Sequence, residues 1–326
     1  MIDVSSKPST LRFAKARAVV AARPETVERV RAGSVPKGDA LEMARAAGLL
    51  AAKRTSELIP LCHPIPLDHV SVEFETGAGT ITITTTATAV WKTGVEMEAL
   101  VAASTAALVL VDMLKPIDRE LEIRSVRVLE KRGGRSDAAG SLAHPIRAAV
   151  LVASDSAAAG EREDRSGRSI VEAMKPYPVE VIEYAIVPDE RGVIEAALRR
   201  LSDEAACDLV VTTGGTGPGP RDVTVEAAAA VLDRELPGVM EAARAFGQSR
   251  TPTAMLSRGT AGLRGRTLIV TLPGSVNAVE ESLAALLPGL LHAVHVTGGG
   301  GHDAEGVRAA PHTGPREPAG RRDEVW

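Results

Sequence analysis

The segment LVVTTGGTGPGPRD, residues 209–222, decides the fold of the second half of the chain. Its apolar start predicts a buried strand, and residues 223–232 predict a helix directly after it. Glycines between a strand and a helix let backbone N–H groups turn toward a ligand at the positively polarised helix N-terminus, which suits phosphate. The segment lacks the GK[ST] ending of a P-loop, and Pro220 replaces the last glycine of GxGxxG, so neither common nucleotide fingerprint applies. A tight turn with an ordinary helix cap is the alternative explanation.

The rest of the second half repeats this alternation of strand and helix. Apolar runs predict strands at 148–153, 179–187, 209–213 and 268–272, and further patterns predict helices at 167–174, 193–201, 223–232 and 276–291. Strands this apolar are typical of a parallel sheet with helices on both faces. We therefore expect an α/β domain with a mostly parallel sheet flanked by helices.

Polar residues follow these strands at the edge where such sheets bind ligands. Asp155 follows the first strand and Asp189 the second, while Asp222 ends the glycine segment and Ser275 follows the last strand. Each carboxylate taken alone is explained as a helix cap. Three carboxylates beside a phosphate-binding segment favour a site for a nucleotide with magnesium.

Composition limits the classes of function that the chain can have. The 326 residues are 44% hydrophobic, enough for two domain cores, and no disulfide framework is expected from Cys62 and Cys207. A net charge of −4 and an aromatic content of 2% argue against nucleic acid as a partner. The longest apolar run, 99–111, is too short to cross a membrane, so we expect a cytoplasmic protein without a membrane partner.

The first half mixes strands and helices without regular alternation, which predicts an α+β domain. A helix is expected over 40–53, with Asp39 as its N-cap and Glu42 as the capping partner. A hairpin is expected over 70–76 and 80–90, a long helix over 95–115, and a strand over 121–131. The run GGRSDAAGS at 133–141 interrupts every pattern, so we divide the chain into a domain at 1–136, a linker at 137–146, a domain at 147–297 and a disordered tail at 298–326.

The long helix of the first half carries charged residues near both ends. Glu98 and Asp112 share roughly the same helix face, within about 40°, but lie about 21 Å apart along the axis. One small substrate cannot touch both residues of one subunit, so a site that uses both must be shared between two copies of the chain. Asp112 and Lys115 are also explained as a surface ion pair. His63, between Cys62 and a proline, suits substrate contact or proton transfer, whereas nothing near it has the spacing of a zinc site.

Five motifs of the first half together resemble the cyclic pyranopterin monophosphate synthase family, MoaC: KGD at 37–39, AAKRT at 51–55, LIPLCHP at 58–64, KTGVEMEAL at 92–100 and DMLK at 112–115. The resemblance implies a ferredoxin-like α+β fold and the conversion of cyclised dihydro-GTP to cyclic pyranopterin monophosphate with loss of pyrophosphate. The substrate-binding residues that it implies are Leu61, Cys62, His63, Met97 and Glu98, and the catalytic residues are Lys37, Asp112 and Lys115. A triphosphate also needs cationic partners such as Lys53 and Arg54.

Four motifs of the second half resemble the MogA/MoaB molybdopterin adenylyltransferases: SD at 154–155, IVPDE at 186–190, TTGGTG at 212–217 with RDVT at 221–224, and LPGS at 272–275. Members of that family move AMP from ATP to molybdopterin. The resemblance implies that Asp189 and Asp222 are catalytic and position magnesium, and that Asp155 and Ser275 help to hold pterin or nucleotide. The residues that it implies for the phosphate cradle are Gly214, Gly215, Thr216 and Gly217.

Two other functions of the second half remain open at this level. It could bind molybdopterin without catalysis, as a carrier or scaffold, or it could act on another nucleotide-linked acid. The resemblances imply a homo-oligomer, either a trimer or a hexamer, and no redox cofactor.

Overall fold

The computed structural model describes residues 1–134 and 144–299. The predicted linker at 137–146 lies almost wholly outside the described residues, and so does the predicted tail from residue 300 onward.

The first domain is a four-stranded antiparallel sheet with helices on one face. Its elements, in chain order, are β1 Thr10–Ala21, α1 Pro24–Arg31, α2 Ala40–Lys53, α3 Thr55–Leu58, β2 His69–Thr76, β3 Thr80–Trp91, α4 Glu96–Leu114 and β4 Glu122–Arg132. The strands lie in the order β2-β3-β1-β4. This confirms a mixed domain with the expected hairpin, long helix and final strand, and adds β1 and α1, which the sequence patterns did not indicate.

Small residues bring the two long helices of this domain close together. A methyl group added to Gly48 of α2 would lie 3.1 Å from the Ala102 carbonyl oxygen of α4. Lys37, just before α2, contacts Asp112 near the end of α4, so the two helices run antiparallel. Asp39 caps α2 by accepting the Leu41 and Glu42 backbone N–H groups, as predicted.

The predicted role of Glu42 as a capping partner is wrong. Its carboxylate pairs with Arg45 at 3.0 Å, because a basic residue one turn along the same helix face is within its reach.

Helix α4 is longer than the apolar run that the sequence marked. Over an 18-residue window of this 19-residue helix the mean hydropathy is 1.8, so by length and composition it is able to cross a membrane. Its small apolar residues are instead buried against the sheet and α2, and core helices of soluble proteins meet the same criterion.

The second domain is built on a six-stranded sheet in the order β6-β5-β7-β10-β9-β8. The first four strands are mutually parallel, and β9 and β8 add an antiparallel edge. The strands are β5 Ile146–Ala153, β6 Val179–Val187, β7 Leu209–Thr213, β8 Arg234–Glu235, β9 Ala261–Arg264 and β10 Thr267–Leu272. The helices are α5 Asp155–Ala158, α6 Ser166–Met174, α7 Arg191–Arg199, α8 Thr224–Ala229, α9 Pro237–Gln248 and α10 Val276–Thr297.

Helices cover both faces of this sheet. Apolar residues of α6, α9 and α10 pack on one face, and those of α7 and α8 pack on the other. The carboxyl ends of β5, β6, β7 and β10 therefore meet at one edge, where the predicted site residues follow them.

Candidate active sites

The first site contains a carboxylate held by two lysines. Asp112 accepts a hydrogen bond from the Lys115 ammonium at 2.7 Å and from the Lys37 ammonium at 2.9 Å. Lys37 also donates to the Asp112 carbonyl oxygen at 2.8 Å. Hydrogen bonds from Lys115 and Lys37 lower the pKa of Asp112 to about 2. The carboxylate therefore remains ionised at neutral pH and keeps two ammonium groups together at the surface.

A second group of predicted residues surrounds a cavity of about 480 Å³ at the other end of α4. The cavity is lined by Leu61, Cys62, His63, Met97 and Glu98, together with residues of the N-terminal segment 1–7. The His63 ring nitrogen Nε2 donates to the Ile2 carbonyl oxygen at 2.9 Å. The structure thus gathers in one cavity the five residues that the MoaC resemblance assigns to the substrate.

Glu98 has the most unusual environment in this cavity. It is only 3% exposed, and its Oε2 has no hydrogen-bond partner among the described residues. Burial raises the pKa of the Glu98 carboxyl group. Burial also raises the pKa of the Cys62 thiol, and the nearby Glu98 charge acts in the same direction. A carboxyl group with a raised pKa can give and take protons nearer neutral pH than an exposed one.

The two groups of residues lie at opposite ends of α4 within one protomer. Because α2 runs antiparallel to α4, Lys53 and Arg54 at its C-terminal end lie toward the Glu98 end, where both side chains are exposed. Lys37, Asp112 and Lys115 remain at the far end. One protomer therefore does not bring all of the predicted residues together.

The glycine segment of the second domain requires glycine at its first two positions. Gly214 has a φ of +96°, and a methyl group there would lie 2.1 Å from the Ala153 carbonyl oxygen. Gly215 has a φ of +62°, and a methyl group there would lie 2.3 Å from Thr224 Oγ1 and 3.3 Å from Asp189 Oδ1. The backbone thus passes close to its neighbours in a conformation that L side chains avoid.

The carboxylates of Asp155 and Asp189 hold two strand ends together. The Asp155 N–H donates to Asp189 Oδ2 at 3.0 Å, and the Asp189 N–H donates to Asp155 Oδ1 at 2.9 Å. Arg221 donates to Asp155 Oδ2 at 2.7 Å, and this hydrogen bond lowers the pKa of Asp155. Asp189 does not cap α7, whose N-cap is Glu190. Asp155 is therefore bonded to protein groups, and it does not line the neighbouring cavity.

A cavity of about 550 Å³ opens beside the glycine segment. Of the predicted residues, it is lined by Gly215, Thr216, Gly217, Asp222 and Ser275. Ser275 also caps α10 by accepting the Ala278 N–H at 3.3 Å. The residues of this cavity that the sequence patterns did not indicate include Met240, Arg244, Glu281 and Ser282. Met240 and Arg244 lie on α9, a helix that the sequence patterns did not predict. Pro237 at its first turn is nevertheless a helix-start signal.

Two buried oxygens beneath the glycine segment fit a magnesium ion. Asp189 Oδ1 and Thr224 Oγ1 have no hydrogen-bond partner in the described part of the chain, and both lie near the backbone of Gly215. Burial raises the pKa of Asp189, as expected for a carboxylate that lacks a compensating cation. Oxygen ligands of this kind suit magnesium, which completes its coordination with phosphate oxygens and water. Within residues 1–134 and 144–299, no cluster of three or more histidine, cysteine or acidic side chains forms a metal site by itself.

Sequence patterns did not indicate Arg258, which contacts the segment from a distant loop. Its Nε donates to the Gly217 carbonyl oxygen at 2.8 Å, and its Nη2 donates to the Asp222 carbonyl oxygen at 2.6 Å. Arg258 lies between a short helical turn and β9, where no periodic pattern marks a functional residue. Only the tertiary structure identifies this contact.

The two domains, each with its own cavity, indicate a fused protein with two separate candidate sites. Residues 1–134 match the MoaC family, and residues 149–292 match the family described as a probable molybdopterin binding domain. A molybdenum cofactor biosynthesis bifunctional protein of Chlorobaculum tepidum is 44% identical over 302 residues, which cover 93% of this chain and 96% of that protein. The chain belongs to the family of bifunctional molybdenum cofactor biosynthesis proteins, with a MoaC-type half and a MogA/MoaB-like half.

Each half also matches proteins of single function. The cyclic pyranopterin monophosphate synthase of Roseiflexus sp. is 54% identical over 138 residues, or 42% of this chain and 87% of that protein. The molybdopterin adenylyltransferase of Helicobacter pylori is 46% identical over 151 residues, or 46% of this chain and 86% of that protein. Among solved structures, the molybdopterin biosynthesis enzyme MoaB of Thermus thermophilus is 47% identical, covers 47% of this chain and 97% of its own, and superposes with a TM-score of 0.46.

Proposed function

We propose that the first half converts cyclised dihydro-GTP to cyclic pyranopterin monophosphate and pyrophosphate, and that the second half transfers AMP from ATP to molybdopterin. Family membership sets the pair of reactions, and the positions of the charged groups support the roles of individual residues. The observation that carries the first role is the buried, unpartnered Glu98 in a cavity of substrate size.

In the first reaction, cations must bind a triphosphate while a ring rearranges. Lys37 and Lys115, held by Asp112, supply two ammonium groups, and Lys53 and Arg54 supply an ammonium and a guanidinium group at the other end of the helix pair. A hydroxyl oxygen of the substrate forms a second ester bond to the α-phosphorus, which closes the cyclic monophosphate, and the anhydride bond between the α- and β-phosphates breaks. Pyrophosphate leaves with its negative charge next to these cations. Glu98, His63 and Cys62 face the ring end as proton donors and acceptors.

We further propose that a complete first site forms between two copies of the chain. The separation of the two residue groups along α4 supports this arrangement, because one substrate cannot reach both within a protomer. Exposed apolar side chains on α3, α4 and β4 support a covered interface beside the site: Leu58, Met97, Leu108, Val126 and Val128. The assembly would be a trimer or a hexamer, and each first domain would be ferredoxin-like, as its β-α-β-β-α-β order and antiparallel sheet suggest.

In the second reaction, the terminal phosphate of molybdopterin attacks the α-phosphorus of ATP. A new P–O bond forms there, the bond between the α- and β-phosphates breaks, and pyrophosphate leaves. Backbone N–H groups of 214–217 would orient the phosphates, and Asp189 and Asp222 would hold magnesium, with Thr224 near it. Bound magnesium neutralises the charge that develops on the phosphate oxygens. Arg221 lies beside this edge through its contact with Asp155.

The second role is tested by pyrophosphate release from ATP when the full chain, molybdopterin and magnesium are combined. We expect release that requires all three components, and we expect Asp222→Ala to abolish it. Molybdopterin binding without release, unchanged by Asp222→Ala, would instead show a carrier or scaffold. Release with a non-pterin acceptor would show that the second half acts on another acid.

The first role is tested by mass spectrometry of the products that the full chain forms from cyclised dihydro-GTP. We expect cyclic pyranopterin monophosphate and an equal amount of pyrophosphate, and loss of both in Lys37→Met. Unchanged product formation by Lys37→Met would contradict the role of the lysine–aspartate group. Because the family is a biosynthetic one, we also propose a cytoplasmic location.

A further inference from the structure

Arg258 makes three contacts with the segment that carries Asp222 and one with the helix that follows it. Its backbone N–H donates to the Thr216 carbonyl oxygen at 2.9 Å, and its Nε donates to the Gly217 carbonyl oxygen at 2.8 Å. On the other side of the segment, Nη2 donates to the Asp222 carbonyl oxygen at 2.6 Å, and the guanidinium pairs with Glu226 of α8. One side chain therefore joins both ends of the turn 217–222.

Apart from Arg258, the turn is tied to the domain by Arg221, which donates to Asp155 Oδ2 at 2.7 Å. Pro218 and Pro220 lack backbone N–H groups, and the bonds within the turn run between Gly219 and Asp222. The Gly219 N–H donates to Asp222 Oδ2 at 2.8 Å, and the Asp222 N–H donates to the Gly219 carbonyl oxygen at 3.1 Å. The direction of the Asp222 carboxylate thus depends on the position of a short turn that Arg258 holds by the backbone at both ends, and that Arg221 holds through Asp155.

Resting on the second reaction proposed above, we propose that Arg258 is a positioning residue for that reaction: it fixes the turn 217–222 so that Asp222 presents its carboxylate to magnesium and the phosphates of ATP. It acts through the backbone of the turn and through Glu226, and it is not itself a ligand of the metal. The Arg258 hydrogen bond to Glu226 lowers the pKa of that carboxyl group, so the pair is ionised at neutral pH.

The exposure of the pair separates this role from a general contribution to stability. The side chains of Arg258 and Glu226 are 37% and 43% exposed, and ion pairs in such positions contribute little to the free energy of folding. Arg264 provides a matched control, because it also binds one carboxylate, Asp203, and one backbone carbonyl, that of Val231, but lies away from the turn.

The test compares Arg258→Met, Arg258→Lys and the control Arg264→Met in the full chain. For Arg258→Met we expect the magnesium concentration at half-maximal pyrophosphate release to rise, and kcat to fall, each about 10- to 100-fold, as for the loss of a group that orients a metal ligand. The KM for molybdopterin is expected to stay within about twofold, because Arg258 does not line the 550 Å³ cavity. Arg258→Lys keeps the charge but loses the planar set of donors, so it should recover only part of the activity.

A second measurement does not depend on activity. Hydrogen exchange of the Gly219 and Asp222 amides, without ligand, is expected to be roughly tenfold faster in Arg258→Met, because the turn opens more often once the Arg258 bonds to the Gly217 and Asp222 carbonyl oxygens are lost. In Arg264→Met both rates should match those of the unsubstituted chain.

Unchanged exchange at these amides in Arg258→Met would overturn the proposal, and so would a loss of activity that leaves the magnesium dependence unchanged. Faster exchange in a chain that releases no pyrophosphate from ATP would instead leave the mechanical role of Arg258 in place and contradict the proposed second reaction. The two failures are therefore distinguishable.

Discussion

Two inactive variants of this chain should restore the first reaction when they are combined. Glu98→Gln removes the buried carboxyl group at one end of α4, and Lys115→Met removes an ammonium group at the other end. If each site takes Glu98 from one protomer and Lys115 from another, each variant alone has no intact site. A mixed pair then contains one site with both native groups and one site with neither.

The geometry of α4 gives the size of the effect. Residues 98 and 112 are separated by about 21 Å along the helix, so a substrate held at one end cannot reach the other end of the same helix. With equal amounts and random pairing, half of the pairs are mixed, and half of the sites in each mixed pair are intact. Activity should therefore return to about a quarter of that of the unsubstituted chain.

The assay is mass spectrometry of cyclic pyranopterin monophosphate formed by co-expressed variants carrying different affinity tags. Lys37→Met combined with Lys115→Met is the matched control, because both substitutions affect the same Asp112 group and no mixed pair has an intact site. Recovery near a quarter in the first mixture and none in the control supports a shared site. No recovery in tag-purified mixed pairs of the first kind would refute the reasoning.

Three further substitutions test the surroundings of the two sites. Glu98→Gln removes a carboxyl group, and burial raises the pKa of that group. The protonated carboxyl group makes its full contribution to stability, and this contribution is lost as pH rises through the folded-state pKa. The unsubstituted chain should therefore lose thermal stability from mildly acidic to neutral pH more steeply than the variant, and parallel profiles would contradict this. Asp164→Ala leaves the first N–H groups of α6 and the Tyr184 hydroxyl without their buried acceptor, so urea unfolding should show a loss of about 2–4 kcal/mol; a loss below about 1 kcal/mol would show that water replaces the carboxylate. Gly214→Ala should lower the thermal midpoint far more than Gly33→Ala. Both glycines have positive φ, but only a methyl group at Gly214 would meet a backbone atom. The clash should therefore add to the roughly 1 kcal/mol that a strained φ costs alone. Equal midpoints would refute the steric argument.

Local patterns located several elements within a residue or two of their observed ends. Helix 40–53 and strands 179–187 and 209–213 have the predicted bounds. The signals for them are all local: apolar periodicity, Asp39 at the start of the helix, and the glycines after β7. Strands β8 and β9 were missed because a two-residue and a four-residue strand exist only through pairing with a neighbour. The antiparallel edge of the second sheet could not be read from those residues alone.

Sequence by itself determined which chemical groups this protein has and how some of them are spaced. The glycines of 214–217, the carboxylates at strand ends, and the distance between Glu98 and Asp112 on one helix all follow from local order. These features depend on backbone geometry over a few residues, which hydrogen bonding within an element fixes.

Only the tertiary structure decided how those groups are paired. It brings Lys37 to Asp112 across 75 residues and joins Arg258 to a turn about 40 residues earlier in the chain. It also buries Glu98 with an Oε2 atom that has no hydrogen-bond partner in the described part of the chain. Contacts over such distances depend on how helices and sheets pack against one another, and packing is set by the shapes of whole faces rather than by any one segment. The charge, the pKa and the role of each site residue therefore follow from packing that no single motif contains.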